Sequence, residues 1–453
     1  MQRRHFVKGV AGTALAAPAF ATKSSILGAN DRIRVAVLGV NGRGQNHFEG
    51  LQPLENVEVT HFVDPDLEIA RRRAGEFESK FGRKPTVVQD LRRALDDKDI
   101  DVVTIATPNH WHTLAAIWAC QAGKDVYVEK PATHVFNEGL SLIAAAKKYN
   151  RIVQHGVQLR SSEAIREAVQ KMRDGLIGEV YMARATIFKW RPQLQNFPDE
   201  TPPETFDYDL WVGPGKYRPY SKRHVPYNWH WTWDYGNGEI GNQGIHETDM
   251  LQWGLGVGLP TKISAMGGNY LWRDHRETPE ALGMQMEFDG GKKYAEVAVR
   301  FWCSNNETEA AGGNYLYRGL QSAYQRITGK SSDKANGNLF FGSEGFLEIN
   351  EYESYAFFFG RNNEPGPSGS APTRHYENFI QAVRSRKTED QHGPVETAHS
   401  SAALAHLGNI AYRREQTLRF DPSVARFTND DEANAMLGKP YRPGFEVPPP
   451  DRV

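Results

Sequence analysis

The stretch that decides the fold is IRVAVLGVNGRG, Ile33 to Gly44. Its first half is a continuous run of mostly β-branched residues, which is typical of a strand buried on both faces of a sheet. Its second half supplies Gly39, Gly42 and Gly44, and glycines directly after such a strand allow a sharp turn into a helix. The stretch therefore predicts the first βα turn of a doubly wound parallel sheet.

Similar apolar runs follow at helical intervals, at 57–63, 101–106, 125–128 and 152–155. Strands that alternate with helical segments indicate an α/β fold, so we predict an N-terminal Rossmann domain over 32–155. Beyond residue 156 the pattern changes to alternating apolar and polar residues, as in EVYMARATIF and ALGMQMEF. This pattern predicts a C-terminal α/β domain over 156–425 with an open, mostly antiparallel sheet. The Pro-rich end, 426–453, predicts an extended tail.

Composition excludes several classes of function. The formal net charge of -1 leaves no basic stripe for a nucleic-acid backbone. The two cysteines lack metal-ligand spacing, so we expect no metal site. No apolar run reaches the roughly 18 to 20 residues of a membrane span.

The first residues read as an export signal. Arg3-Arg4-His5-Phe6-Val7-Lys8 resembles the twin-arginine pattern, and a small-x-small cleavage site closes the segment at residue 21. We therefore expect a signal peptide over 1–21, a linker over 22–31, and export to the periplasm by the twin-arginine machinery. A disordered basic tail is the alternative.

The glycine turn also predicts the cofactor. Its residues Gly39, Asn41, Gly42, Arg43 and Gly44 open a helix whose N-terminal amides suit a pyrophosphate, although their spacing departs from G-x-G-x-x-G. Asp64 ends the second strand, where a carboxylate accepts both ribose hydroxyls and repels a 2′-phosphate. NAD is therefore favoured over NADP. An arginine within 71–73 leaves NADP possible, and Asp64 as a plain turn residue is the alternative.

Two more segments fall at the carboxyl edge of the predicted sheet, where ligands collect. One ends a strand in Glu129-Lys130-Pro131, and a lysine there suits hydrogen bonding to a substrate hydroxyl as hydride leaves. A simple charge pair is the plainer interpretation. The remaining candidates at this edge are Thr107, Pro108, Asn109 and His112, with Gln158 toward the cofactor and Arg160 toward the substrate. An interdomain tie is an equally good interpretation of Arg160.

The glycine turn, the segment Thr107 to His112, Glu129-Lys130-Pro131 and the later GNQGIHETD together resemble the Gfo/Idh/MocA oxidoreductase family. The resemblance implies that Lys130 is the catalytic lysine. It also implies that His246, in the family's D-x-x-x-H motif, is the general base that accepts the hydroxyl proton. Asn242 stands where many members have Asp. If this stretch is helical, 242, 246 and 249 share one face, so Asp249 is a candidate to orient His246.

Aromatic residues alternate at Tyr227, Trp229, Trp231 and Trp233, so they share one face if the chain is extended there. Such a face suits stacking on a sugar, which makes Trp229 and Trp231 candidate substrate residues, although core packing explains the alternation too.

Together these features predict an exported oxidoreductase that transfers hydride between a sugar or polyol and tightly bound NAD, as a homo-oligomer. Free NAD is not expected outside the cytoplasm, so a retained cofactor needs chemistry that closes its own redox cycle. A redox-neutral glycoside hydrolase, lyase or epimerase that oxidises the sugar transiently is the first alternative. A non-enzymatic module that binds carbohydrate or cofactor is the second.

Overall fold

The computed structural model describes residues 32–302, 335–350 and 353–453. The predicted export segment and its linker lie outside these residues, so export stays a prediction. In the described part of the chain, no helix has both the length and the apolar character that crossing a bilayer requires.

The first sheet is parallel, with the strand order β3-β2-β1-β4-β5-β6. Its strands are β1 Ile33–Leu38, β2 Val57–Val63, β3 Thr86–Val88, β4 Val102–Ile105, β5 Asp125–Val128 and β6 Val153–His155. Its helices are α1 Arg43–Leu51, α2 Leu67–Phe81, α3 Leu91–Asp96, α4 Asn109–Gln121 and α5 Phe136–Lys148. This doubly wound sheet confirms the predicted Rossmann fold. The order reverses between β1 and β4, which opens a crevice at the carboxyl ends of the strands.

The second sheet has the order β14-β13-β12-β11-β7-β10-β9-β8-β15-β16. Its strands are β7 Val180–Trp190, β8 Lys262–Gly268, β9 Ala281–Phe288, β10 Lys293–Trp302, β11 Ala335–Gly342, β12 Gly345–Asn350, β13 Ser354–Phe359, β14 Glu364–Ser370, β15 Leu418–Asp421 and β16 Arg426–Phe427. All its described pairs are antiparallel except β7 with β10, so the mostly antiparallel sheet is confirmed as well.

The second domain also contains helices. They are α6 Glu163–Arg173, α7 Tyr208–Val212, α8 Gly238–Gly241, α9 Gly244–Leu255, α10 His375–Ser385, α11 Val395–Arg414 and α12 Asp431–Ala435. The longest, α11, packs against α5 and α9, and thereby joins the two domains. Its small residues, such as Ala402, Ala403 and Ala405, are completely buried in this contact layer.

The prediction of an extended tail over 426–453 is wrong in its first part, which forms β16 and α12. Beyond α12 the chain is irregular, but it is not free of the body. Phe445, Val447 and Val453 are buried in the apolar cluster of α4 and α5. The apolar residues between the prolines therefore anchor this segment, which Pro content alone does not predict.

Candidate active site

A cleft lies at the carboxyl ends of the parallel strands, between the first sheet and the second domain, and it encloses about 390 Å³. The predicted residues on its wall are Gly39, Asn41, Gly42, Arg43, Asp64, Thr107, Pro108, Asn109, His112, Glu129, Lys130, Trp229 and Asn242. Other predicted residues are not part of this wall: Gly44, Gln158, Arg160, Trp231, His246 and Asp249.

The glycine turn packs tightly against the neighbouring strand. Gly39 has a φ of 79°, and a Cβ there would lie 2.8 Å from the carbonyl carbon of Ala106. A Cβ on Gly44 would lie 1.9 Å from the carbonyl oxygen of Gly39. Gly44 therefore serves the close packing inside the turn, even though it does not face the cleft.

The N-terminus of α1 fits the pyrophosphate of a dinucleotide. Gly42 is the N-cap residue and lines the cleft, and no side chain among the described residues caps the helix. The first turn carries no acidic residue, whereas Glu68 stands in the first turn of α2. Since helix N-termini attract anions through their backbone N–H groups, this end of α1 suits phosphate oxygens.

Asp64 fits the ribose position at the end of β2. Its Oδ2 accepts the backbone N–H of Val40 at 3.1 Å, and its Oδ1 accepts that of Asp66 at 3.1 Å. Burial raises its pKa to about 6, against the opposing effect of these two hydrogen bonds. The carboxylate is therefore fixed beside the glycine turn.

Glu129 connects the glycine turn to the catalytic segment. Its Oε1 accepts hydrogen bonds from Nε of Arg43 at 2.7 Å, Nε2 of His47 at 3.2 Å and Nε2 of Gln158 at 3.3 Å. Its Oε2 accepts the backbone N–H of Lys130 at 3.2 Å. Burial alone would raise the pKa of Glu129, but the Arg43 charge and the His47 hydrogen bond hold it well below its ordinary value.

Lys130 lies on the cleft wall beside Asn242. Its Nζ donates to the backbone oxygen of Asn242 at 3.1 Å and to its Oδ1 at 3.2 Å. Burial lowers the pKa of Lys130 to about 8, although the Glu129 charge opposes this effect. The position that carries Asp in many family members here supplies two neutral acceptors, so the ammonium is oriented but not neutralised.

His246 lies behind this wall rather than on it. It is buried in the first turn of α9, with 4% of its surface exposed. Burial and then the nearby Lys130 charge hold its pKa well below the ordinary value, so the imidazole is neutral. The prediction that 242, 246 and 249 share one helical face is wrong at its first position, because α9 begins at Gly244 and Asn242 precedes it.

Asp249 does not orient His246. Its carboxylate accepts hydrogen bonds from Nε of Arg160 at 3.0 and 2.8 Å and from Oγ of Ser401 at 2.5 Å. Arg160 also stacks on Trp253, with 5.0 Å from its guanidinium carbon to the ring centroid. Both Asp249 and Arg160 are thus committed to joining the domain crossover to α9, which agrees with the plainer interpretation of Arg160.

Two further candidates support the site from outside it. Gln158 donates to the hydroxyl of Tyr127 at 3.0 Å and to Glu129, so it positions the network instead of lining the cleft. Trp231 is buried against Phe301 in the core of the second domain. It does not share a face with Trp229, because residues Asn228–Trp231 form a 3₁₀ turn, not the extended chain that the alternation suggested.

The side chain of His112, in the first turn of α4, contacts two backbone carbonyl oxygens. Its Nδ1 lies 2.6 Å from the carbonyl oxygen of Pro131, and its Nε2 lies 2.7 Å from that of Thr107. The side chain therefore joins the ends of β4 and β5, which fixes the direction of the chain at Lys130. Among the described residues, no group of three His, Cys, Asp or Glu side chains is placed to hold a metal ion.

Sequence reasoning singled out Tyr227 and Trp229 but missed the rest of the second-domain segment that lines the cleft. We call residues 203–236 the closing loop. Its backbone pairs with residues 65–67, which lead from β2 into α2, because Leu67 donates to the oxygen of Thr205 at 3.0 Å and Asp207 donates to that of Pro65 at 2.9 Å. Phe206, Trp211, Tyr227 and His230 of this loop line the cleft. The aromatic content of the segment was its one signal, since such density is unusual in an exposed connection.

Two family models match the chain. One describes an oxidoreductase family with an NAD-binding Rossmann fold and matches residues 33–157. The other describes the C-terminal alpha/beta domain of an oxidoreductase family and matches residues 161–265 and 367–447. Both Lys130 and His246 lie inside the matched ranges.

Two curated relatives differ in the activity that their names state. A glycosyl hydrolase family 109 protein of Shewanella sp. (strain W3-18-1) is 29% identical over 227 residues, which is 44% of this chain and 49% of that protein. An inositol 2-dehydrogenase/D-chiro-inositol 3-dehydrogenase of Shouchella clausii is 28% identical over 154 residues, 34% of this chain and 43% of that protein. The chain thus spans about half the length of the curated relatives it matches.

Among solved structures, the WlbA dehydrogenase from Bordetella pertussis, in complex with NADH and UDP-GlcNAcA, is similar with a TM-score of 0.61. The likeness covers 86% of this chain and 99% of that chain at 16% identity. At this identity the likeness shows a shared fold.

Proposed function

This chain belongs to the Gfo/Idh/MocA family of NAD-binding oxidoreductases, and from that premise we propose that it transfers hydride between a sugar or polyol hydroxyl carbon and NAD. The observation that carries the proposal is the position of Lys130. It lines the same cleft as the glycine turn and Asp64, and its ammonium is oriented by Asn242.

NAD supplies the acceptor for the hydride when it is bound. Lys130 has the geometry to donate a hydrogen bond to the oxygen of the reacting hydroxyl. As the family resemblance implies, His246 would take the proton of that hydroxyl. The positive charge of Lys130 stabilises the alkoxide that remains, and the electron pair of the C–H bond then leaves as hydride.

The side-chain oxygen of Asn242 accepts a hydrogen bond from the Lys130 ammonium and keeps it in place. The carboxylate of Glu129 accepts the backbone N–H of Lys130. Trp211 and Trp229 of the closing loop put apolar surface on the wall of this cleft, and such a wall strengthens the interaction of Lys130 with the reacting oxygen once a bound substrate displaces water.

The names of the relatives support carbohydrate as the substrate class, since they include an inositol dehydrogenase and a dehydrogenase bound to UDP-GlcNAcA. Trp229 and Tyr227 on the cleft wall add aromatic surface, which suits the C–H faces of a sugar ring.

The glycosyl hydrolase family 109 relative favours a second candidate, in which the sugar is oxidised transiently and reduced again after the glycosidic bond breaks. In that branch, as the family resemblance implies, the lysine of the Glu-Lys-Pro segment is replaced. Here Lys130 is present, so we rank net dehydrogenation first.

The two candidates are separated by following the bound nucleotide. The protein is purified, its nucleotide is released and identified, and reconstituted protein is screened with free sugars and with aryl glycosides. We expect stable reduction of bound NAD by a free sugar or polyol. Aryl release without accumulation of NADH would establish the redox-neutral reaction instead. Absence of any bindable pyridine nucleotide would refute both.

We also propose that NAD is held tightly, because the closing loop covers the cleft. Gln89 ties the loop down: its Nε2 donates to the oxygens of Pro65 at 3.0 Å and Thr205 at 3.2 Å, and it lines the cleft. We expect Gln89→Ala to raise the NAD dissociation rate about 5- to 30-fold, the effect of losing one or two hydrogen bonds worth about 1 kcal/mol each. Stopped-flow fluorescence of bound NADH measures this rate. An unchanged rate would remove the loop from retention.

Asp64 provides the test of nucleotide choice. We expect Asp64→Ala to weaken NAD by about 10- to 100-fold, because the ribose hydroxyls lose their acceptor, while NADP is weakened much less. The ratio of the two dissociation constants is the measurement. Asp90→Ala is the control, because Asp90 caps α3 through the N–H group of Arg92 and is not on the cleft wall. A ratio unchanged in Asp64→Ala would mean that the ribose is recognised elsewhere.

A further inference from the structure

His230 stands on the cleft wall, and neither its sequence context nor the family motifs single it out. It belongs to the 3₁₀ turn Asn228–Trp231 of the closing loop and lines the same cleft as Lys130. Lys130 is near enough for its charge to lower the pKa of His230 further. The ring and Lys130 therefore share one cleft.

The hydrogen bonds of His230 fix its tautomer. Nδ1 lies 2.7 Å from the carbonyl oxygen of Tyr227, and because a carbonyl only accepts, Nδ1 carries the hydrogen. Burial is the main cause that lowers the pKa of this imidazole to about 3, so it is neutral at any working pH. Nε2 consequently presents a lone pair.

That lone pair opens into the cleft. Within the described residues Nε2 has no hydrogen-bond partner, yet it is not among the buried polar atoms that lack one, so the atom is accessible. The ring cannot turn away, because it stacks on Trp229 with centroids 3.6 Å apart and planes 19° apart. A substrate that fills the cleft removes water from Nε2, and an acceptor buried in this way needs a donor; an oriented and open acceptor on the same cleft wall as Lys130 is therefore a place for a donor from the substrate.

Gly236 shows that this turn is built for close packing. A Cβ at that position would lie 2.7 Å from Cα of His230 and 2.7 Å from the oxygen of Trp229. The backbone of residue 236 therefore supports the turn from behind, and any larger residue would push the histidine out of its position.

We propose that Nε2 of His230 accepts a hydrogen bond from a hydroxyl of the substrate and thereby selects polyhydroxylated molecules. The contact rests on the proposed function for the identity of the substrate. Lys130 donates a hydrogen bond to a hydroxyl oxygen, and His230 accepts one from a hydroxyl hydrogen. The pair therefore uses both the acceptor and the donor capacity of hydroxyl groups. A substrate that presents a methylene, an ether or a carbonyl at His230 leaves the acceptor unsatisfied.

The test uses His230→Phe, which keeps a stacking ring without the acceptor, and His230→Gln, whose Oε1 restores an acceptor. With the sugar found by reduction of bound NAD, kcat/KM is measured for the parent and its monodeoxy analogues. Wild type should reject one analogue by about 10- to 100-fold, the effect of an unsatisfied buried acceptor. His230→Phe should lose the same factor on the parent and accept that analogue equally well, and His230→Gln should recover part of the selectivity.

A His230→Phe variant that discriminates among the analogues as wild type does would overturn the proposal. His61→Phe, on β2 away from the cleft wall, controls for the loss of a histidine. Unchanged NAD content in His230→Phe separates this contact from cofactor binding.

If no sugar reduces bound NAD, the proposed function fails and His230 is tested without a substrate. Diethyl pyrocarbonate acylates accessible neutral imidazole nitrogens, and peptide mass mapping locates the product. Labelling of His230 in nucleotide-free protein, with His406 unlabelled because its Nε2 is buried against Oγ1 of Thr133, would support the open acceptor. An unlabelled His230 would overturn it.

Discussion

Lys130→Met is expected to lower kcat for hydride transfer by about 10³-fold, within the range seen when a positioned acid or base is removed, while bound NAD is retained. The variant removes the donor to the reacting oxygen but leaves the glycine turn, Asp64 and the closing loop in place. Single-turnover reduction of bound NAD measures the rate, and the nucleotide-to-protein ratio measures retention. Loss of NAD together with normal turnover after NAD is added back would contradict the assignment.

Loss of folding does not explain such a result, and the charge of Lys130 shows why. Burial lowers its pKa from 10.5 to about 8, so the folded protein binds this proton less well than the unfolded chain does. The charged form is therefore destabilising below about pH 8, and the penalty fades as the pH rises toward 10.5. Met removes that charge, so the urea midpoint of Lys130→Met should equal or exceed that of wild type at pH 7.

The same pKa sets the pH dependence of the reaction. The ammonium is present below about pH 8 and is lost above it, so wild-type kcat/KM should decrease above about pH 8. Lys130→Met should lack this step. Lys80→Met is the matched control, because Lys80 is exposed and pairs with Glu49 at the surface. A wild-type profile without a step near pH 8 would mean that the ammonium form of Lys130 is not the acting species.

Each part of the site that the sequence predicted is determined by a few contiguous residues. Gly39 to Gly44 follow a buried strand directly, and Lys130 ends another strand, so both fall at the carboxyl edge once the sheet is recognised. The fold is predictable for the same reason, since β1 and β5 are apolar runs that only a sheet covered on both faces accommodates.

What sequence reasoning could not find depends on contacts between distant segments. Asp249 is three residues from His246, and helical spacing makes it a reasonable partner. In the structure Asp249 instead pairs with Arg160, which is 89 positions away in the sequence. The partner of Lys130 lies 112 positions along the chain, and it is a neutral amide where the family motif suggests a carboxylate. His230 sits in a run of aromatic residues whose period suggested a strand, whereas the 3₁₀ turn places its ring on the cleft. No local periodicity in the sequence indicates either of these contacts or the position of His230.

Glu129→Gln is expected to lower the free energy of unfolding by about 3 kcal/mol at pH 7, the lower end for removing one partner of a buried ion pair. The lower end applies because 42% of the Arg43 side chain is exposed and water can solvate it again. Four N–H groups now converge on the carboxylate, and the substituted amide would offer them one acceptor oxygen and an NH2 group that only donates, so at least one of them loses its partner. Urea unfolding measures the loss.

The pH dependence identifies the charge as the cause. The folded-state pKa of Glu129 lies well below its ordinary value of 4.5, because Arg43 and His47 overcome the effect of burial. The stabilisation is therefore complete above about pH 4.5 and is lost progressively as the pH falls toward the folded-state pKa. The difference between wild type and Glu129→Gln should be constant from about pH 7 to about pH 5 and smaller at about pH 3.5. A difference that stays equal at the lowest pH would assign the effect to shape instead.

The same substitution also tests the connection between the glycine turn and the catalytic lysine. The Glu129 charge raises the pKa of Lys130 against the effect of burial, so Glu129→Gln should move the step in kcat/KM from about pH 8 to a lower pH. Glu76→Gln is the control, because Glu76 is an exposed residue of α2 that pairs with Arg72 and Arg73; it should leave both the stability and the step nearly unchanged. A Glu129→Gln protein that is destabilised but whose kcat/KM still decreases above about pH 8 would confine Glu129 to a structural role. A carboxylate that sets the pKa of Lys130 must change both the free energy of unfolding and the pH of this decrease.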